Sequence, residues 1–127
     1  MQRREINAPD APAPAGSYSQ AVEVSAVSRT LYISGQVGVD TAGHTPDDLA
    51  SQCRLVWANL EAQLRAAGMG FDNIVKLTTI LPESSSLGES RKARAAAMGD
   101  RKPASTLIIG GLASPAWKIE IEVIACA

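Results

Sequence analysis

The chain has 127 residues, of which 46% are hydrophobic and 20% charged, and its formal net charge is −1. That is enough for one domain with its own core, and the composition is globular rather than disordered. The charge balance gives no electrostatic case for binding nucleic-acid phosphates, and no run approaches the length of a membrane span.

The N-terminus carries Arg3 and Arg4 without an apolar segment behind them, which does not read as a signal peptide. Residues 8–16 (PDAPAPA flanked by Ala8 and Gly16) hold three prolines and read as an extended lead-in. "QAVEVSAV" and "TLYISGQVGV" are two β-rich runs, and Ser28-Arg29 between them predicts a hairpin. Thr45 is the expected helix N-cap, with Pro46 at the first helical position and Asp47 and Asp48 at the positive helix end. Leu49, Cys53, Val56, Leu60 and Leu64 then recur at steps of three and four, an amphipathic helix ending at Gly68.

"NIVKLTTIL" (73–81) predicts a strand stopped by Pro82, and 87–98 (LGESRKARAAAM) a second, alanine-rich helix. "ASTLIIGG" and "WKIEIEVIAC" close the chain as strands. The last alternates, with Trp117, Ile119, Ile121 and Val123 on one face and Lys118, Glu120 and Glu122 on the other. The predicted order is β-β-α-β-α-β-β, an α+β domain with two helices on one face of a sheet. Leu107 and Ile109 point opposite to Ile108, so the strand at 105–109 is apolar on both faces. The face with Leu107 and Ile109 is expected to need a partner subunit. Cys53 and Cys126 form no CxxC and predict a reduced, cytoplasmic protein with both as small hydrophobes.

Six segments occur in order: "PAGSYSQAV" (14–22), "YISGQVGVD" (32–40), "NLEAQLRAAG" (59–68), "NIVKLTTIL" (73–81), "KPAST" (102–106) and "KIEIEVIA" (118–125). Together they resemble the YjgF/Rid superfamily of reactive-intermediate deaminases over nearly the whole chain. The resemblance implies a chorismate-mutase-like fold and a homotrimer with a central barrel. It also implies three clefts between subunits, no metal and no cofactor. Typical members hydrolyse imines or enamines to keto acids and ammonia. By the same resemblance Tyr18 stands at the family's cleft tyrosine, Gly35 at the SGQ turn, and Glu120 at the glutamate of the last strand. Arg91 falls near the family's asparagine, Leu107 where a cysteine often lies, and Ser105 where the deaminases carry arginine.

The serine matters chemically. A guanidinium is a planar two-pronged donor matched to a carboxylate, which a hydroxyl cannot reproduce. Losing two charge-assisted hydrogen bonds of roughly 1.5–3 kcal/mol each weakens carboxylate binding by a factor on the order of 10²–10⁴. Arg91 and Arg94 lie about one helical turn apart and either could bring a replacement cation; the alternative is a solvated face shared with Glu89 and Lys92. Glu120 is the candidate acceptor for the proton of an attacking water; alternatively it and Glu122 simply face solvent. Tyr18 offers a hydroxyl or a ring wall, and the SGQ backbone N–H groups could face an anion or carbonyl; packing and a β-bulge are the plain alternatives. His44 is the lone histidine, in a loop without a ligand-spaced partner, and no Ser-His-Asp or Cys-His arrangement can be drawn without it, so the sequence gives no support for nucleophilic hydrolysis. Three functions follow in order: hydrolysis of an unusual imine or enamine, with ordinary amino-acid imines as poor substrates; a non-catalytic ligand-binding or regulatory trimer; and an endoribonuclease, disfavoured by the charge.

Overall fold

A computed structural model describes residues 1–127. In chain order the elements are β1 (Gln2–Ile6), β2 (Ala21–Ser25), β3 (Thr30–Val37), α1 (Leu49–Ala66), β4 (Ile74–Leu81), α2 (Leu87–Met98), β5 (Ala104–Ile109) and β6 (Glu120–Cys126). The main sheet runs β3-β6-β4-β5, with β4 and β5 parallel and the other pairs antiparallel. Both helices lie on one face of it, as the α+β reading requires. The core is built there from Val56, Leu60 and Leu64 of α1 against Leu77, Ile121 and Val123 of the sheet, all essentially without solvent contact.

The predicted helices and the strands at 74–81 and 120–126 follow directly from local patterning. Pairing does not. The expected β2–β3 hairpin is absent: β2 pairs instead with an N-terminal strand, β1, that the sequence reading had not assigned. The Ser28 and Arg29 N–H groups both donate to the Ala127 carbonyl at 2.9 Å, and β3 continues antiparallel to β6. The C-terminus thus takes the hydrogen bonds that a hairpin turn would have used.

Three local expectations also change. Asp48, not Thr45, caps α1: its carboxylate accepts from the Ser51 N–H at 2.8 Å, and its backbone is extended while Leu49 is already helical. Trp117, Lys118 and Ile119 precede β6, and the Trp117 N–H closes a turn on the Ser114 carbonyl. Leu107 and Ile109 are registered with Thr79 and Leu81, on the side the helices cover, while Ile108 is registered with Ile80 on the open face. All three are 41–46% exposed. The reason is position: β5 is the sheet edge, and the helices do not extend over it. Uncovered apolar surface therefore sits on both sides of this strand rather than on one.

Buried Gln52 holds the opposite end of the sheet together. Its amide donates to the Pro46 and Ala116 carbonyls at 2.8 and 3.0 Å and its oxygen accepts from the Lys118 N–H at 2.8 Å. Two loops are thereby tied to α1 just ahead of Glu120.

Candidate functional site

A cleft of about 700 Å³ opens where α2, the edge strand β5 and the segment 15–20 meet. The sequence places each wall for a local reason. Gly16 and Tyr18 form a tight turn, with the Tyr18 N–H on the Gly16 carbonyl at 2.9 Å and the Tyr18 hydroxyl accepting from the Ala15 N–H at 3.2 Å. Buried Ser19 then stitches this turn to the start of β5. Its N–H donates to the Pro103 carbonyl at 3.1 Å and its hydroxyl to the Lys102 carbonyl at 2.6 Å. The "KPAST" and "PAGSYSQ" segments, more than eighty residues apart, become one wall.

Four of the sequence-proposed residues meet in this cleft: Tyr18, Arg91, Ser105 and Leu107. Ser105 and Leu107 arrive together because alternate residues of a strand share a face, and β5 turns this pair toward the helices. Trp57, Thr79 and Ile121 form the buried floor. The lining contains no Asp, Glu, His or Lys.

Of the two arginines on α2, Arg91 is exposed, whereas Arg94 is half-buried and reaches the strand. Its Nη1 donates to the Ser105 Oγ at 2.9 Å and its Nη2 to the Ser17 carbonyl at 2.7 Å. Burial lowers the Arg94 pKa from its ordinary value, and the guanidinium remains the charged form at neutral pH. The residue brought against Ser105 is thus Arg94, not the Arg91 that register counting put near the family's asparagine position.

Gly35 and Glu120 are brought together elsewhere. Between Ile33↔Val123 and Gln36↔Ile121 the register shifts, so Ser34 and Gly35 oppose Glu122 alone, a bulge in β3. A side-chain carbon at Gly35 would stand 2.5 Å from the Glu120 Oε2. The glycine is what lets the carboxylate lie over the bulge. Glu120 precedes Ile121 on β6, so it faces the open side of the sheet while Ile121 faces the cleft. Within one chain, Glu120 and Gly35 are therefore on the opposite face of the sheet from Tyr18, Arg91, Ser105 and Leu107.

The open face carries a second, shallower hollow of about 290 Å³ lined by Tyr32, Ser34, Lys76, Thr78, Glu122 and Ile124 among others. Tyr32 is 75% exposed there. No three His, Cys, Asp or Glu side chains come together in metal-binding range.

A family model described as Endoribonuclease L-PSP matches residues 8–127. The chain belongs to the YjgF/Rid family. A protein from Rattus norvegicus named 2-iminobutanoate/2-iminopropanoate deaminase is 34% identical over 125 residues, 97% of this chain and 89% of that one. A mouse protein of the same name is 41% identical over 88 residues, 68% of this chain, and the match spans 63% of the mouse protein's length. Among solved structures, a Rid-family protein of unknown function from Yersinia pestis superposes with a TM-score of 0.83 at 36% identity, covering 100% of both chains. The Rid fold and the imine-directed names of these relatives agree with the order of segments seen in the sequence.

Two contributors to the site were outside sequence reasoning. Trp57 reads as one more apolar position on α1, yet it lines the cleft and its buried Nε1 has no acceptor in the chain. Gln52 reads as a polar residue of an amphipathic helix, yet it is fully buried. A glutamine flanking the apolar stripe was the available signal.

Proposed function

We propose that this Rid-family chain hydrolyses an imine or enamine to a carbonyl compound and ammonia, in clefts completed by neighbouring subunits of a homotrimer. The observation that carries the proposal is the gathering of Tyr18, Arg91, Ser105 and Leu107 around one 700 Å³ cleft, in a family whose relatives are named for 2-imino acids. In this reading water adds to the imine carbon and gives its proton to the Glu120 carboxylate. With the imine nitrogen protonated at the outset, the resulting amino alcohol takes a further proton on nitrogen, its C–N bond breaks, and the departing ammonia takes the hydroxyl proton, leaving as ammonium, as that oxygen becomes the carbonyl oxygen. The proton held by Glu120 is returned in that second half. No metal or cofactor takes part.

The trimer is part of the proposal because Glu120 faces away from its own chain's cleft. The uncovered Tyr32, Ile108 and Leu107 supply apolar surface for assembly, and assembly would let one subunit's Glu120 serve a neighbour's cleft. The two free, buried cysteines support placing the protein in the reducing cytoplasm, and no helix is long and apolar enough to cross a membrane. A nuclease reading finds no support in the charge, which is −1 with a pI near 5.8.

Selectivity belongs to the same reading. Ser105 offers one hydroxyl where an arginine would offer two charge-assisted bonds, so an imino acid held only at residue 105 is turned over about 10²–10⁴-fold less well. The test uses imines generated in situ by an amino-acid oxidase, with keto-acid and ammonia release measured for wild type, Glu120→Ala and Ser105→Arg. Hydrolysis by wild type that drops at least 100-fold in Glu120→Ala supports the catalytic reading. Wild type that binds imine analogues but hydrolyses none of the panel establishes the non-catalytic alternative. Improved turnover of small imino acids in Ser105→Arg supports the selectivity argument, and unchanged or lower turnover refutes it.

A further inference from the structure

A guanidinium drawn partly out of water needs compensation from a counter-charge or from hydrogen bonds at all its donors. Arg94 has neither in full. It takes part in none of the three ion pairs of the chain, and its buried Nε has no acceptor. Trp57 Nε1 is the other buried side-chain donor without an acceptor. Both residues line the same cleft. Two residues with unanswered buried donors, and two cationic side chains, therefore line a cleft to which the same chain brings no carboxylate.

Ser105 completes the arrangement. Its Oγ accepts from Arg94 Nη1 at 2.9 Å, which leaves the hydroxyl proton free to be donated outward. Ser17 fixes Nη2 through its carbonyl at 2.7 Å. The guanidinium is thus held at two corners, with Nε–H and the remaining Nη protons unused. A carboxylate is the acceptor whose two oxygens match such adjacent donors.

We infer that Arg94 is the carboxylate anchor of the cleft, delivered from α2 and seated on Ser105. The inference rests on the cleft being the substrate site. It also explains how Ser105 can stand at that position without leaving the cleft uncharged: the guanidinium comes from the helix and its tip lies within hydrogen-bond reach of the strand. The acid group of the substrate then docks against α2. Its distance from the imine carbon is set by that placement rather than by an arginine rooted on β5.

The experiment measures calorimetric binding of two keto acids, 2-oxobutanoate and 4-oxopentanoate, which differ in the separation of carbonyl and carboxylate. Wild type, Arg94→Gln, Arg94→Lys and Lys92→Ala are compared, each checked by its thermal midpoint. At least one keto acid is expected to bind wild type. Arg94→Gln should weaken that binding by about 10²–10⁴, Arg94→Lys should recover only part of it, and Lys92→Ala, an exposed cation of α2 outside the cleft, should stay within about threefold. If Arg94 merely ties α2 to β5, Arg94→Gln lowers the thermal midpoint while the folded protein binds as wild type does, and the inference fails. It also fails if neither keto acid binds wild type. Hydrolysis of an imine lacking a carboxylate separates this result from the activity itself: that activity should survive in Arg94→Gln, and its absence in wild type would count against the proposed function instead.

Discussion

Replacing Gly35 by alanine adds one carbon at the point where the bulge in β3 meets Glu120. That carbon would lie 2.5 Å from Glu120 Oε2, 2.7 Å from its Cδ and 2.9 Å from its Cγ. Three side-chain atoms are inside contact distance, so a small rotation of the carboxylate does not suffice and the whole Glu120 side chain must leave. Gly35 does not have a positive φ, so alanine introduces no backbone strain. The expected result is a folded protein with a displaced carboxylate. A positioned general base is worth about 10²–10⁴ in rate, and Gly35→Ala should lose most of that factor in kcat with little change in thermal midpoint. The assay is a double-mutant cycle on imine hydrolysis with Gly35→Ala, Glu120→Ala and the double variant. If the glycine acts only through the carboxylate, adding Gly35→Ala to Glu120→Ala costs nothing further. Additive losses would refute this reasoning, as would a Gly35→Ala enzyme that keeps wild-type kcat while Glu120→Ala does not.

Other consequences follow from the same coordinates. Gln52→Leu strips partners from the Pro46 and Ala116 carbonyls and the Lys118 N–H, and should destabilise the fold by about 3–5 kcal/mol in urea titration. Burial pushes the Cys53 thiol up to about 11 from 9.0. The folded state therefore keeps a proton that the unfolded chain releases, so stability is full below about pH 9 and falls by roughly 3 kcal/mol as pH rises to about 11. Cys53→Ala should flatten that alkaline decline, seen in urea midpoints across the range. Ile108→Asp places a charge on the uncovered edge strand and should shift the proposed homotrimer toward monomer in light scattering, with the monomer's own fold retained.

Much of the architecture was legible from spacing alone. Leu49, Cys53, Val56, Leu60 and Leu64 announce α1, and Ile121 and Val123 the buried face of β6, because a helix or strand repeats over contacts only a few residues apart. The ordered segments also carried the family. Several end signals misled: Thr45 is a good cap by type, but Asp48 stands adjacent to the first helical residue and takes the role. The candidate site was half legible. Tyr18, Arg91, Ser105 and Leu107 do converge, whereas Glu120 and Gly35 pair with each other on the far side of the sheet.

What the sequence by itself determined, then, is both helices, the strands from β2 onward, their amphipathic faces and the kinship. What only the tertiary structure decided is who sits beside whom. The β1–β2 pairing, the parallel docking of β5 on β4 and the reach of Arg94 to Ser105 each join residues distant along the chain. The physical reason is that side-chain periodicity reports which face of an element is apolar, and says nothing of which neighbour will cover it. Ser105 shows the difference most plainly: in the sequence it is a charge lost from a strand, and in the folded chain it is the seat of a guanidinium supplied by a helix.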